Sequence, residues 1–390
     1  MKLPHKDCVF VNEAAFLWLW GCSLHKRLVL LGVILCASAV GLCAIVRAEQ
    51  SPNATSKYLD QATQGINTLQ GWYNSNTGLY HTTGWWNSAN AITVLADYSR
   101  AAGTSQYAST FAITFKAAQT RNSGFINNYY DDEGWWALAW IDAYDLTHTP
   151  QYLSMAQSIF TNMANGWDTT TCGGGIWWSK DKTYKNAVAN ELFLSVAAHL
   201  ANRTVGTEKA GYAQWAHREW NWFLASGMIN PHNLVNDGLD SSDPTACKNN
   251  NGTTWTYNQG IVLGGLAEFS QLEKDPSLLA NAQQIATAAI THLTDASGIL
   301  HDPCEPNCGA DGPQFKGIFA RNLMTLYQDA PNLTYKAFLN QNANRICNND
   351  QGSGGTFGLI WSGPFDSADA ARQSSALDAI VAAATVNAKN

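Results

Sequence analysis

Apolar residues recur at helical spacing through almost all of the chain after residue 50. Ala189, Leu192, Phe193 and Val196 fall at i, i+3, i+4 and i+7, which places them on one face of a helix. Residues 136–144 repeat this spacing. The pattern predicts a helical protein, because strands would require alternation with a period of two.

Proline and glycine mark the expected helix ends. Thr149-Pro150 and Asp275-Pro276 place a capping residue before a proline at the first helical position, while Gly103 and Gly227 stand where helices should stop. Twelve helices are predicted at residues 55–71, 86–103, 104–120, 133–148, 150–166, 184–204, 207–226, 255–273, 276–296, 316–329, 332–347 and 367–386. No low-complexity linker divides them, so we expect a closed double ring of helices in a single domain, residues 49–390.

The connections between these helices are of two kinds. Some are short, as at Gly103-Thr104, whereas five are long and rich in Gly, Asn and aromatic residues. In a ring of antiparallel helix pairs, alternate connections lie on one face, so the long ones should converge on one cleft. They are residues 73–86, 121–132, 167–185, 230–255 and 297–314.

Residues 1–48 read as a leader. Lys26-Arg27 precede an uncharged apolar run from Leu28 to Val46, and Ala48 suits the last position before a cleavage site. The run is longer than an average signal-peptide core, so an uncleaved membrane anchor at residues 28–46 is the alternative. In either case the basic residues before the run predict that the body is exported, to the cell wall or the medium.

The net charge and the glycosylation sequons agree with an exported body. The leader holds five of the 23 Lys and Arg and two of the 30 Asp and Glu, which leaves a body of net charge −10. An acidic surface argues against nucleic acid or an anionic membrane as partner and favours a neutral or cationic substrate. Four Asn-x-Ser/Thr sequons, at Asn53, Asn202, Asn251 and Asn332, fit a glycosylating route.

Five cysteines remain in the body, which predicts two disulfides and one thiol without fixing the pairing. They are Cys172, Cys247, Cys304, Cys308 and Cys347. His301-x-x-Cys304-x-x-x-Cys308 lacks a second ligand pair, so we expect disulfide chemistry there and no metal site. No phosphate loop, dinucleotide fingerprint or Gly-x-Ser-x-Gly motif occurs, and no cofactor is expected.

The candidate chemistry lies at Asp131-Asp132, between Tyr129-Tyr130 and Trp135-Trp136. Adjacent carboxyls repel when both are ionised, so their pKa values should separate and leave one acid beside one base or nucleophile. Flat aromatic surfaces suit sugar rings. The alternative is that either aspartate caps a helix that continues into Trp135.

With these motifs in view, the chain resembles glycoside hydrolase family 76, the endo-α-1,6-mannanases of bacteria and fungi. The resemblance covers the body and rests on several motifs in order. They are Trp85-Trp86-Asn87-Ser88-Ala89-Asn90-Ala91, Tyr130 to Trp136, Ala143 to Thr147, Cys172 to Trp178, Lys185-Asn186 to Asn190-Glu191, Thr256-Tyr257-Asn258-Gln259-Gly260 and Phe315-Lys316-Gly317-Ile318.

The resemblance implies an all-α (α/α)6 barrel of twelve helices in two concentric rings. It also implies a retaining hydrolase of internal α-1,6-mannosidic bonds. We expect a monomer that needs no metal. Asp131 would be the nucleophile and Asp132 the acid/base. A retaining enzyme needs its two carboxyls about 5–5.5 Å apart, which adjacent residues can span.

Ten further residues are candidates to bind the sugar, each with a structural alternative. Aromatic residues Trp86, Tyr130, Trp135 and Tyr257 stack on sugars or form barrel core. Amide residues bind vicinal hydroxyls or satisfy loops, and Glu191 and Lys316 contact substrate or form a buried ion pair. The amides are Asn87, Asn190, Asn258 and Gln259.

Two other functions compete with hydrolysis of mannan. A transglycosidase of the fungal wall, acting on GPI-glycan or wall mannan, would share these motifs but carry a hydrophobic C-terminal anchor signal. The end of this chain, Asn387-Ala388-Lys389-Asn390, shows no such signal, which favours a free hydrolase. A lectin would use the same aromatic cleft but has no reason to place Asp131 beside Asp132.

Overall fold

The computed structural model describes residues 54–388, and the predicted leader lies outside them. The described chain forms twelve α-helices: α1 Ala54–Gln70, α2 Trp85–Ala102, α3 Ala108–Ala117, α4 Tyr130–Thr147, α5 Pro150–Ala164, α6 Ala187–Arg203, α7 Gly206–Ala225, α8 Thr256–Leu272, α9 Pro276–His292, α10 Phe315–Asp329, α11 Leu333–Asn349 and α12 Ala370–Asn387. Two short antiparallel pairs join β1 Tyr73–Asn74 to β2 Leu79–Tyr80, and β3 Leu239–Asp240 to β4 Lys248–Asn249.

The even-numbered helices form a closed inner ring. Each packs on the next, from α2 through α4, α6, α8 and α10 to α12, and α12 packs back on α2. Each inner helix buries between 10 and 15 of its residues. The odd-numbered helices bury three to seven each, as expected for amphipathic helices that cover the ring from outside.

Small residues allow the inner helices to approach closely. A Cβ atom added to Gly260 of α8 would lie 2.6 Å from the Phe319 Cα of α10, and one added to Gly317 of α10 would lie 2.5 Å from the Ser375 Cα of α12. These crossings therefore exclude any larger residue. The prediction of an all-α (α/α)6 barrel is confirmed.

Every long connection precedes an inner helix, so the amino-terminal ends of the inner helices and the long loops share one mouth of the barrel. A sixth long loop, residues 350–369 before α12, belongs to this set and was not predicted. Helix α4 begins at Tyr130, three residues before the predicted start, because the Tyr130 N–H is satisfied by the carbonyl of Trp178 across the loops.

The cysteine prediction is confirmed within the described residues. Cys172 pairs with Cys247 and Cys304 with Cys308, while Cys347 is a buried thiol. Among residues 54–388, no helix is both long and apolar enough to span a bilayer. Of the sequons, Asn202 donates its side-chain nitrogen to the carbonyl and carboxylate of Glu268, whereas Asn251 is exposed.

Candidate active site

A cleft of about 230 Å³ opens at the mouth where the long loops meet. Five inner-helix starts or the loops before them contribute to its wall, as the loop pattern predicted. The lining residues are Trp86, Asp131, Trp135, Trp178, Tyr184, Asn186, Val188, Asp237, Tyr257, Asp311 and Phe315.

Aromatic rings from four inner helices form one side of the cleft. Tyr257 stacks on Phe315 with ring centroids 4.1 Å apart, and Trp86 stacks on Trp135 at 5.6 Å. Phe315 and Trp86 are themselves stacked at 6.4 Å, so the four rings make a continuous surface. Such a surface suits the apolar faces of sugar rings.

Asp131 and Asp132 lie in the first turn of α4, and neither one caps it. The N-cap residue is Tyr129, which makes no side-chain capping bond. Trp178 Nε1 donates to Asp131 Oδ2 at 3.0 Å, and Asn127 Nδ2 donates to Asp132 Oδ2 at 2.6 Å. Asp131 Oδ1 is buried and has no hydrogen-bond partner among the described residues.

The two carboxyls hold protons to unusually high pH. Burial, and then the neighbouring Asp132, raises the pKa of Asp131 to about 8. Burial raises the pKa of Asp132 to about 6, with Asp311 adding to the shift and Asn127 opposing it. Between these values the pair carries one proton, as acid/base chemistry requires. The order places that proton on Asp131, which is opposite to the order expected from the predicted roles.

Two further aspartates face the cleft and were not predicted. Asp237 accepts the Tyr184 hydroxyl at 2.5 Å and the Trp255 indole N–H at 3.1 Å. Asp311 accepts the Trp86 indole N–H at 2.8 Å. These bonds fix both carboxylates on the wall, where they offer acceptors for sugar hydroxyls.

Three of the ten predicted sugar-binding residues line the cleft, namely Trp86, Trp135 and Tyr257. Two others are fully used by the backbone instead. The amide of Asn190 pairs with both backbone groups of Ile176, and the amide of Gln259 pairs with both backbone groups of Val235. These side chains satisfy loops and have no free group for substrate.

The structure also places Asn87, Tyr130 and Lys316 away from the cleft wall. Asn87 accepts the Gly84 N–H in the cap of α2, and Tyr130 is buried against Gly166. Lys316 is 1% exposed and donates to Glu305 Oε1 at 2.5 Å, so it is the buried ion pair that we gave as the alternative.

Glu191 and Asn258 lie buried behind the wall. No polar side-chain atom of either residue has a hydrogen-bond partner among the described residues. Burial, and then Asp237 and Glu219, raises the pKa of Glu191 well above its usual range. Neither residue lines the cleft.

The inner ring encloses a second cavity, of about 270 Å³, on the far side of Trp135. Its charges are largely paired: Arg203 with Asp145 and Glu268, and Arg321 with Asp378. The guanidinium of Arg321 lies 5.7 Å from the Trp135 ring centroid. Trp135 therefore separates the cleft from a polar interior and is held from both sides.

Fold and cleft together define a helical-barrel protein with an acidic pair between aromatic walls. The chain belongs to glycosyl hydrolase family 76, whose sequence model matches residues 53–390. The resemblance seen in the sequence motifs is thereby confirmed.

Curated relatives include two fungal proteins named mannan endo-1,6-alpha-mannosidase DCW1. The protein of Saccharomyces cerevisiae is 29% identical over 300 residues, which cover 70% of this chain and 64% of that protein. The protein of Candida albicans is 30% identical over 255 residues, covering 59% and 55%. The chain thus spans about 55–64% of the length of these relatives.

Solved structures share the fold. An inactive variant of the α-1,6-mannanase GH76A of Salegentibacter sp., in complex with α-1,6-mannotriose, superposes with a TM-score of 0.76 at 23% identity, covering 84% of this chain and 99% of that chain. Dfg5 from Chaetomium thermophilum, in complex with glucosamine, gives a TM-score of 0.75 at 22% identity, covering 86% and 92%.

Proposed function

We propose that the protein is a retaining glycoside hydrolase that cleaves internal α-1,6-mannosidic bonds of mannan. The observation that carries the proposal is the half-buried pair Asp131 and Asp132, whose pKa values are raised to about 8 and about 6. Asp131 lines a cleft with a wall of stacked aromatic rings, and Asp132 lies next to it in the chain. The names of the relatives support mannan as the substrate class.

In the first step, the Asp131 carboxylate bonds to the anomeric carbon, and the bond from that carbon to the departing O6 breaks. Asp132 gives its proton to O6. In the second step, water passes a proton to Asp132 and displaces Asp131, which restores both groups. Two inversions leave the product with the α configuration.

Three observations support Asp131 as the nucleophile. It lines the cleft, its Oδ1 is free of protein donors, and the Trp178 N–H and the amino-terminal end of α4 stabilise its ionised form. Its higher pKa favours the reverse assignment, and variants at the two positions separate the roles. In the Salegentibacter mannanase, the inactive variants also carry changes at two consecutive aspartates.

Incubation with linear α-1,6-mannan, followed by sizing of the products, tests the proposal. A ladder of short oligomers that appears before free mannose indicates internal cleavage. Release of mannose alone, or no cleavage, contradicts it. Binding of mannan without turnover would instead identify a lectin. We expect the active protein in the culture medium or wall fraction of the producing cell.

Transfer to an acceptor is the second candidate function. It is the alternative that the sequence motifs leave open, since a transglycosidase of the fungal wall would share them. Addition of a mannoside acceptor should leave the product ladder unchanged if water is the acceptor, and should generate longer oligomers if the enzyme is a transglycosidase.

A further inference from the structure

Two loops meet directly beside the acidic pair. The Tyr130 N–H donates to the Trp178 carbonyl and the Lys180 N–H to the Asn128 carbonyl, both at 2.9 Å, in a short antiparallel bridge. Trp178 and Lys180 both lie on this short segment, and the Trp178 side chain donates a hydrogen bond to Asp131. Lys180 serves no role in the mechanism above.

Lys180 joins three groups around the start of α4. Its Nζ donates to the Asn127 carbonyl at 2.5 Å and to Glu133 Oε1 at 2.7 Å, and it lies 5.6 Å from the Tyr130 ring centroid. Glu133 is completely buried and does not line the cleft. The third acidic residue of the run thus anchors Lys180 instead of facing substrate.

Asn127 connects Lys180 to the acidic pair. Its Oδ1 accepts the Tyr129 N–H at 2.8 Å, so the amide nitrogen is the atom that faces Asp132 Oδ2, at 2.6 Å. A carboxyl that accepts a hydrogen bond at Oδ2 carries its proton on Oδ1. The contact therefore selects which oxygen of Asp132 can act as acid.

We propose that Lys180 is a positioning residue for the acid/base carboxyl: by fixing Asn127 it holds Asp132 with Oδ1 turned toward the departing glycosidic oxygen. The inference rests on the proposed function, since it assigns Asp132 the proton transfer. Lys180 touches neither substrate nor the reacting atoms. Glu133 holds Lys180 in place.

The test compares two substrates that differ in their need for an acid. Cleavage of α-1,6-mannan requires protonation of O6, whereas a 2,4-dinitrophenyl glycoside of α-1,6-mannobiose has a leaving group that departs unprotonated. For both, kcat/KM reports the chemistry up to formation of the glycosyl-enzyme. Lys182→Met is the matched control, because Lys182 lies exposed in the same turn and its side chain makes no hydrogen bond or ion pair within residues 54–388.

We expect Lys180→Met to lower kcat/KM on mannan by about 10- to 100-fold, the scale of a misplaced catalytic group. The dinitrophenyl substrate should change less than about threefold, since it needs no acid. Lys182→Met should leave both values unchanged. Equal losses on both substrates in Lys180→Met would overturn the inference while leaving the proposed function intact.

Removal of Lys180 also leaves Glu133 buried without its cation, which on its own destabilises the fold. The double variant Lys180→Met/Glu133→Gln removes that charge. The double variant should recover the melting temperature. It should keep the selective loss of activity on mannan, because the Asn127 carbonyl still lacks the hydrogen bond from Lys180. Recovery of mannan cleavage in the double variant would show that Lys180 only compensates a buried charge. No turnover of either substrate by the unmodified protein would overturn the proposed function and this inference together.

Discussion

The indole N–H of Trp178 donates to Asp131 Oδ2 at 3.0 Å, across 47 positions of sequence. The bond connects the loop before α6 to the first turn of α4, and it reaches the carboxyl that we propose as nucleophile. A donor at this point favours the ionised form of Asp131 and so opposes the effect of its burial on the pKa.

Replacement of Trp178 by phenylalanine keeps an aromatic ring and removes that donor. We expect kcat on mannan to fall about 10- to 100-fold, since a hydrogen bond to a charged group contributes about 1.5–3 kcal/mol. The pKa of Asp131 should rise further, so the alkaline limb of the pH profile should move to higher pH. Trp215→Phe, on the outer helix α7, is the control. An unchanged alkaline limb in Trp178→Phe would show that the bond does not act on Asp131.

The pH dependence of activity follows from the acidic pair. Only the singly protonated pair is active, so kcat/KM should rise as the first proton leaves near pH 6 and fall as the second leaves near pH 8. The expected profile is bell-shaped with its maximum close to pH 7. Activity that still increases as the pH is raised to 9, or that still increases as the pH is lowered to 5, would contradict the raised pKa values.

Replacement of Lys316 distinguishes a role in stability from a role in substrate binding. The structure pairs it with Glu305, both side chains being 3% exposed or less. Lys316→Met should lower the free energy of unfolding by about 3–5 kcal/mol, because it removes the buried cation that pairs with Glu305. Urea denaturation measures the loss, and Lys316→Met/Glu305→Gln should recover most of it. A raised KM at unchanged stability would instead return Lys316 to the substrate site.

The helices were predictable from the sequence because their positions depend on the local spacing of apolar residues and on nearby proline and glycine. All twelve predicted segments correspond to observed helices, and the differences lie at ends that tertiary contacts determine. Helix α4 starts early through the bond to the Trp178 carbonyl, and α3 ends at Ala117, where a short 3-10 turn takes over.

The cleft was only partly predictable, since its walls come from distant loops. Asp131 and Asp132 stand out because they are adjacent, whereas Asp237 and Trp178 reach the same cleft from other loops. Four loops share one device: the backbone N–H of a residue that follows a tight turn donates to the oxygen of a side-chain amide. The held residues and their amides are Ile176 with Asn190, Val235 with Gln259, Leu300 with Asn342, and Phe357 with Gln373.

This device explains why Asn190 and Gln259 resembled sugar-binding amides. Each amide is two residues away in the chain from a residue that lines the cleft, Val188 or Tyr257. A buried amide that pairs with the backbone, however, leaves no donor for a ligand. The distance along the chain from the held residue to its amide varies from 14 to 42 residues, so no repeat of fixed length is visible. A search for a turn glycine or asparagine followed by two apolar residues, one further residue and an aspartate would have found Asp302 after Gly298 and Asp237 after Asn233.

Replacement of each aspartate by asparagine separates the roles within the acidic pair, whose pKa order is opposite to the proposed roles. Asp131→Asn should abolish turnover of every mannoside, since a neutral amide cannot form the glycosyl-enzyme. Asp132→Asn should still form that intermediate from a dinitrophenyl mannoside, and should accumulate it when water lacks a base.

Azide supplies the decisive readout, because it attacks the glycosyl-enzyme without a base. We expect azide to restore turnover in Asp132→Asn only, with an α-mannosyl azide product that NMR identifies. Rescue confined to Asp131→Asn, or a β-azide from Asp132→Asn, would reverse the assignment and agree with the higher pKa of Asp131. Full activity in both variants would move catalysis to the other cleft carboxylates, Asp237 and Asp311, which the structure places on the same wall.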